Sequence, residues 1–400
     1  PCLSYTAHIL RNWLLVRDFL FCEGSKIMKV CHITTAHPAL DARIFYNECQ
    51  SLSANGYDVA LIAPGERDFE KSGVKVLTIK RSKRGLISRI VMPCRALRLA
   101  LREKAAIYHF HDPDFIFAAL FMKLLRKKVI YDVHEHYVEV IPARKGRKSG
   151  GLFSAILRFA LETVPSKAFD MLVFPTQSLS EEYEKAKNKT VIMNLFRLDS
   201  LEEHESESSG SKKYDVIHLG TVSQMRMKFM LDVVSELSSL RKDFSWVFVG
   251  LSTETIDWVN SNNAGKSFQR HLILMEKVEH MKALELVRSS SVGFNYHPFE
   301  KRFQVAIPMK IFEYMAYGLA VVSTALPELS LLLTDQKDSI LVKSQNAEDY
   351  AAAINDLLDN PDRMGRISVE ARQTIYERLN WEKSEEPKLL HSYSKILGGS

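Results

Sequence analysis

From Met28 onward the chain alternates between two kinds of hydrophobic pattern. Short apolar runs (KVCHIT, YDVALIAP, VKVLTI, AAIYHFH, KKVIYDVHE) read as strands. Between them lie segments whose apolar residues recur every three or four positions, as on a helix face. Residues 42–55 carry Phe45, Cys49 and Leu52 on one stripe and stop at Gly56, and 115–125 is a second such helix. Runs at 171–175 and 190–193 continue the rhythm. Residues 201–213, LEEHESESSGSKK, interrupt it with polar, acidic and Ser/Gly-rich sequence suited to a linker. The rhythm then restarts with YDVIHLG, a helix over 229–240, WVFVG, HLILM, a helix over 281–289, SVGFNY, a helix after Pro308, LAVVST and SILV. Residues 347–358 read as a further helix. The tail 363–397 is helical throughout, with breaks expected near Asn380 and Pro387.

Alternating strands and helices predict an α/β fold with parallel sheets covered on both faces. The interruption predicts two doubly wound domains in tandem. The boundaries are an extension at 1–27, a first domain at 28–200, a linker at 201–213, a second domain at 214–375 and a closing helix at 376–400. Open parallel sheets bind ligands beyond the carboxyl ends of their strands, so the chemistry is expected in the loops there, with the crevice between the domains as the default site.

Composition narrows the class. In 400 residues, 46% are hydrophobic and 26% charged, an ordinary globular balance. The most apolar stretch near the start, 13–21, is interrupted by Arg17 and Asp18 and lacks a small-residue cleavage pattern, against a signal peptide or membrane span. The five cysteines all lie at or before position 94 and form no CxxC pair, which fits a reducing, cytoplasmic setting. The net charge of +6 is unevenly spread: residues 1–195 hold 30 Lys+Arg and 19 Asp+Glu, the remainder 24 and 29. A basic first half facing an anionic partner is one reading, and ordinary scatter is the other. Basic clusters stand at Lys80–Arg84, Arg95–Arg102, Arg126–Lys128 and ARKGRKSGG, the last followed by the apolar LFSAILRFAL. A basic loop beside an apolar helix suits a peripheral contact with anionic lipid. No nucleic-acid-binding module is present in the pattern.

Four segments carry candidate chemistry. The first is IPMKIFEYMAYGLAVVST, 307–324. Pro308 suits a helix start and Gly318 a helix stop. Lys310 and Glu313 are three apart and share a face. A helix N-terminus with a lysine attracts phosphate, and a carboxylate accepts from a ribose diol. A plain surface ion pair is the alternative. In the second, VIHLGTVSQMRMKF, a strand ends at Gly220 and Arg226 and Lys228 follow, a pattern for a pyrophosphate or simply two surface cations. The third, HITTAHPALDARIFYNEC, places Asp41 and Arg43 after the first strand, where Asp41 is either a cleft residue or a helix cap. The fourth comprises YHFHDPDF and DVHEH, with His111-Asp112 and His134-Glu135 at strand ends. His109-x-His111 with His134-x-His136 also has the spacing for zinc, and Asp112-x-Asp114 that of a DxD metal motif.

P-x-K-x-x-E-Y-M-A-x-G followed by an apolar strand resembles the donor-site motif of bacterial glycosyltransferases of family 4, which have the GT-B fold: two Rossmann-like domains facing a central cleft, with a C-terminal helix crossing back. NWEKSEEPKLLHSYSKIL is similar to that family's closing helix. The resemblance implies a retaining transfer of a hexosyl unit from a UDP- or GDP-linked sugar to a hydroxyl acceptor, without a metal or other cofactor. It implies Glu313 on the ribose, and Gly220, Arg226, Lys228, Pro308 and Lys310 around the diphosphate. It also implies His134, His111 and Glu135 at the reacting centre, and Asp41, Arg43 and Asp112 along the acceptor side. The family's usual second acid lies eight positions before Glu313, and that position here is Val305. Glu300 is the nearest upstream carboxylate, at the wrong spacing. The first domain is similar to polysaccharide-cluster members. A lipid-linked saccharide acceptor in capsule, exopolysaccharide or O-antigen assembly, met at the inner face of the plasma membrane, follows as an expectation. A non-hydrolysing nucleotide-sugar epimerase and an inactive nucleotide-sugar binder are the alternatives.

Overall fold

The computed structural model describes residues 27–80, 88–144, 151–199, 212–263 and 265–398. The extension 1–26, the basic cluster from Arg81 to Arg84, the basic run 145–150 and most of the expected linker lie outside these residues. The chain forms two compact units, residues 1–129 and 130–400.

In the first unit, β1 (Lys29–Ile33), β2 (Asp58–Pro64), β3 (Phe69–Lys71), β4 (Val74–Ile79) and β5 (Ile107–Phe110) lie in the order β3-β4-β2-β1-β5. All are parallel to their neighbours except β3, which forms a short antiparallel hairpin with β4. The hairpin escaped the sequence pattern because FEK is three residues long and lies on the surface. β2 is buried from Val59 to Pro64, and a strand covered on both faces is necessarily a continuous apolar run. The stripe Phe45, Cys49 and Leu52 is fully buried, as its spacing predicts. The helix begins as a wide π-type segment, Ala42–Cys49, in which Tyr46 N–H reaches back five residues to the Asp41 carbonyl, and continues as Gln50–Ala54.

β6 (Lys128–Asp132), which enters the second unit at Ile130, runs parallel with β7 (Met171–Phe174) and β8 (Lys189–Val191). β9 (Tyr214–Leu219), β10 (Trp246–Leu251), β11 (Leu272–Glu276), β12 (Ser290–Asn295), β13 (Ala320–Thr324) and β14 (Ile340–Val342) form a parallel sheet ordered β11-β10-β9-β12-β13-β14. Period-two alternation divides its side chains between two cores. Val216, Trp246, Phe248, Phe294 and Val322 pack under the helices Gln224–Leu240 and Ala347–Asp359. Ile217, Val247, Val249 and Val321 pack under Met309–Ala316 and Pro361–Glu377.

The tail breaks near Asn380 but not at Pro387. Pro387 stands in the first turn of the helix Glu386–Leu397, where its missing N–H costs no hydrogen bond. Asn380 accepts from Lys383 N–H, Trp381 is fully buried, and Trp381 N–H donates to the Phe196 carbonyl at 2.9 Å. Leu198 N–H donates to the Glu382 carboxylate and Met193 N–H to Glu385. Asn-Trp-Glu therefore anchors residues 193–198. Among the described residues, no helix is long and apolar enough to cross a membrane.

Candidate active site

Gly220 directly follows β9 and Gly250 is the next-to-last residue of β10, and both have positive φ, at +106° and +95°. A Cβ on Gly250 would stand 3.2 Å from the backbone of Gly220, and one on Gly220 would stand 3.2 Å from Lys310 Nζ. L side chains avoid this backbone region, so the two glycines let the strand end approach Lys310 closely. Gly220 N–H donates to the Val249 carbonyl at 2.8 Å, and Leu219 N–H donates to the Tyr314 hydroxyl at 2.7 Å. Tyr314 is fully buried on the helix Met309–Ala316, which also carries Lys310 and Glu313. Thus one helix both clamps the end of β9 and presents the lysine beside it. Pro308 is the N-cap of that helix, with extended backbone.

Three further groups complete a cationic cradle. His218, on β9, is fully buried. Its Nδ1 lies 3.1 Å from the Phe294 carbonyl, which can only accept, so Nδ1 carries the proton. The bare Nε2 then faces Lys310 Nζ at 3.4 Å. Arg226, in the first turn of Gln224–Leu240, donates through Nε and Nη2 to the Tyr296 carbonyl at 3.1 and 2.5 Å. Its guanidinium lies 5.9 Å from the Phe303 ring. His297 packs against the same ring in a tilted arrangement, at 4.9 Å between centroids. Lys310 and Arg226 are cations of like sign in a partly buried setting, and their charge is correspondingly disfavoured. Burial, reinforced by Arg226, brings Lys310 down to about 7. Burial also brings Arg226 down to about 10 and His297 down to about 2, and holds His218 well below its usual value. Burial raises Glu313, partly countered by Lys310. An anion between Lys310 and Arg226 would relieve this penalty.

Lys228 is exposed on the helix that carries Arg226. Val305, at the position of the family's second acid, ends the short helix Lys301–Gln304, and its carbonyl accepts from Thr176 Oγ1 at 3.0 Å. Glu300 is paired with Arg302 at 2.8 Å. His134 Nε2 lies 2.9 Å from Asp132 Oδ2, a buried carboxylate that orients the imidazole. Glu135 is exposed. His136 has only 2% of its surface exposed and lies 3.9 Å from Glu162. Glu162 borders a 610 Å³ cleft lined also by Arg158, Tyr183, Lys301 and Val305.

In the first unit, Asp41 is a helix cap: its carboxylate accepts from Arg43 and Ile44 N–H. Arg43 is buried and paired with Glu48 at 3.2 Å. Asp112 Oδ2 accepts from Thr34 Oγ1, Thr35 N–H and Ala36 N–H at 2.6, 2.7 and 3.2 Å. Asp114 accepts from Thr35 Oγ1 at 2.5 Å. The DxD pair thus braces the loop after β1. His111 is fully buried and packs against His32 and His109. The sequence pattern does not single out His218, Gly250, Tyr296, His297, Phe303 or Tyr314. Two of these carry a signal: in HLG and FVG a glycine stands at or near the end of a largely apolar strand.

Two family models match the chain: Glycosyltransferase Family 4 over residues 42–199 and Glycosyl transferases group 1 over residues 213–360. Spore coat protein SA of Bacillus subtilis is 21% identical over 203 residues, 48% of this chain and 52% of that protein. The chain thus spans about half the length of this curated relative. Among solved structures, sucrose-phosphate synthase from Thermosynechococcus elongatus matches with a TM-score of 0.69 at 12% identity, covering 93% of this chain and 100% of that one. A glycosyltransferase from Rickettsia africae matches at 0.68 and 15%, covering 94% and 100%. Anabaena HepE, solved with UDP-glucose, matches at 0.67 and 11%, covering 92% and 100%. Adjoining family matches on either side of the acidic 201–213 segment, on a fold shared along the chain, make this protein a member of the family 4-like glycosyltransferases of the GT-B fold.

Proposed function

We propose that the chain transfers a hexosyl unit from a nucleoside diphosphate sugar to a hydroxyl of a lipid-linked saccharide, with retention of anomeric configuration, in assembly of a bacterial surface polysaccharide. The observation that carries the donor half is the geometry of the cradle, with Gly220 against Lys310 Nζ and Arg226 held on the Tyr296 carbonyl; a diphosphate there would favour the charged form of Lys310, which burial disfavours. Glu313, one turn on from Lys310, takes the ribose diol. As the glycosidic bond to the diphosphate breaks, Arg226, Lys310 and the helix N-terminus at Pro308 stabilise the charge on the leaving oxygens. The acceptor hydroxyl attacks the same face and gives its proton to a departing phosphate oxygen. Asp132 holds His134 oriented towards the sugar. HepE was solved with UDP and UDP-glucose and TarM with UDP, which favours a uridine donor.

The acceptor half draws on exposed apolar side chains. On Gly151–Arg158 and just beyond it, Leu152, Ile156 and Phe159 are 79, 56 and 62% exposed. On Ile116–Leu124, Phe117 and Leu124 are 79 and 80% exposed, ahead of Arg126, Lys127 and Lys128. Apolar side chains beside cations suit an anionic membrane surface on the cytoplasmic side.

Thermal shift against UDP, GDP, dTDP and CMP tests the donor site: one diphosphate raises the melting temperature, and Lys310→Met abolishes the rise. No shift with any of them overturns the reading. Failure to float with anionic liposomes at low salt removes the membrane element alone.

A further inference from the structure

A second cluster of chemistry-bearing side chains lies inside the first unit. His32 on β1 and His109 on β5 are register partners on neighbouring parallel strands. His111 is two residues beyond His109 and therefore faces the same side. Glu48, from the π-type segment Ala42–Cys49, meets the three imidazoles from the helix side. All four residues have no exposed surface. Glu48 Oε2 is 3.7 Å from His32 Nδ1, 3.8 Å from His109 Nδ1 and 3.8 Å from His111 Nε2. His32 Nδ1 and His111 Nε2 are 3.1 Å apart. The four atoms all lie within 4.8 Å of one another.

We propose that His32, Glu48, His109 and His111 form a closed, structural site for a divalent transition metal of the zinc class. Three imidazole nitrogens surround one carboxylate oxygen at separations beyond hydrogen-bond reach. Zinc binds nitrogen at about 2.0–2.1 Å and carboxylate oxygen at about 2.0–2.2 Å, so the edges of a tetrahedral site measure roughly 3.4 Å. Four of the six edges measure 3.1–3.8 Å and need adjustments of a few tenths of an ångström, and the two from His109 to the other imidazoles lie within 4.8 Å. Arg43 Nε lies 3.2 Å from the other oxygen, Oε1, and fixes the carboxylate with Oε2 towards the imidazoles. Ligating carboxylates are commonly held by such an outer partner. Four protein ligands and complete burial leave no open position, so the ion would join β1, β5 and the helix rather than act on substrate. The set differs from the zinc pattern suggested by the two HxH sequences: it draws on one of them and recruits Glu48 and His32 from elsewhere in the first unit. Its four residues all belong to the first unit, whereas the diphosphate cradle is built from the second, so the ion is proposed as a structural one.

The test starts with the unaltered full chain, stripped with chelator under mild denaturation and refolded with or without Zn²⁺ or Co²⁺. The expected result is one tightly held ion per chain by elemental analysis, with the intense visible bands of four-coordinate Co²⁺ and a higher melting temperature. Glu48→Gln and His109→Gln should each lower affinity at least tenfold, whereas His391→Gln on the exposed face of the last helix should not. A refolded wild-type chain that takes up neither ion and melts at the same temperature with and without it overturns the proposal, leaving a proton-sharing network. So does stoichiometric binding that survives both ligand substitutions. UDP thermal shift on the same preparations reads the donor site separately.

Discussion

If Lys310 is the cation that meets the donor diphosphate, binding must be coupled to its protonation. In the unliganded protein, burial and the neighbouring Arg226 bring Lys310 down to about 7. A bound diphosphate favours the charged form and lifts the group back towards its ordinary value. The sign follows: below pH 7 the ammonium is already present and affinity is at its plateau. Above pH 7 the neutral amine predominates, and each complex must take up a proton. The protonated fraction falls from about one half at pH 7 to about one hundredth at pH 9. Affinity should therefore drop about fiftyfold, or roughly 2.3 kcal/mol at 1.36 kcal/mol per pH unit. The terminal phosphate does not confound this window, since its last proton leaves near pH 6. Isothermal titration with UDP at pH 8, in buffers of different ionisation enthalpy, should show uptake of about 0.9 proton per site, taking the Lys310 value as the reference. Lys310→Arg, which stays charged, should bind with a flat profile across the same range. Wild-type binding that is flat from pH 7 to 9 with no proton uptake would refute the assignment of Lys310 to the diphosphate.

Other substitutions separate the parts of the cradle. Gly220→Ala places a side chain at φ +106° against Lys310 Nζ. It should cost about 1–2 kcal/mol in urea denaturation and weaken UDP binding as well. Tyr314→Phe removes the acceptor of Leu219 N–H in a fully buried setting, for about 1–3 kcal/mol, with diphosphate affinity falling as the strand end loosens. Trp381→Ala empties a fully buried site beside residues 193–198 and should destabilise by about 3–5 kcal/mol. Glu313→Ala should lower affinity for UDP and keep a pH dependence, displaced to lower pH because the Glu313 carboxylate raises Lys310. A pH profile lost in Glu313→Ala would count against that division of roles.

The parallel sheets were legible because strands buried on both faces must be apolar throughout, and β2, β10 and β13 read that way without ambiguity. The helix carrying Lys310 and Glu313 was legible because Pro308 and Gly318 bracket it and its apolar spacing is regular. Short or exposed pieces were not: β3 has too few residues to show a period, and Pro387 serves a helix start as well as it would a break. Site residues divide the same way. The proposed phosphate site rests on a glycine and cations near a helix start, and Gly220, Arg226 and Lys310 were readable as candidates by type and position. Whether a carboxylate serves as cap, brace or ligand depends on which backbone groups come within 3 Å of it. Asp41 and Asp112 were therefore settled by the N–H groups around them. Likewise His32, Glu48 and His109 lie up to 77 residues apart, and only the pairing of β1 with β5 brings their rings and carboxylate together. Sequence determined the layers and the residue types able to hold a diphosphate. Tertiary structure alone decided which polar groups the chain uses to hold itself together, because those choices are made by long-range contact geometry rather than by local pattern.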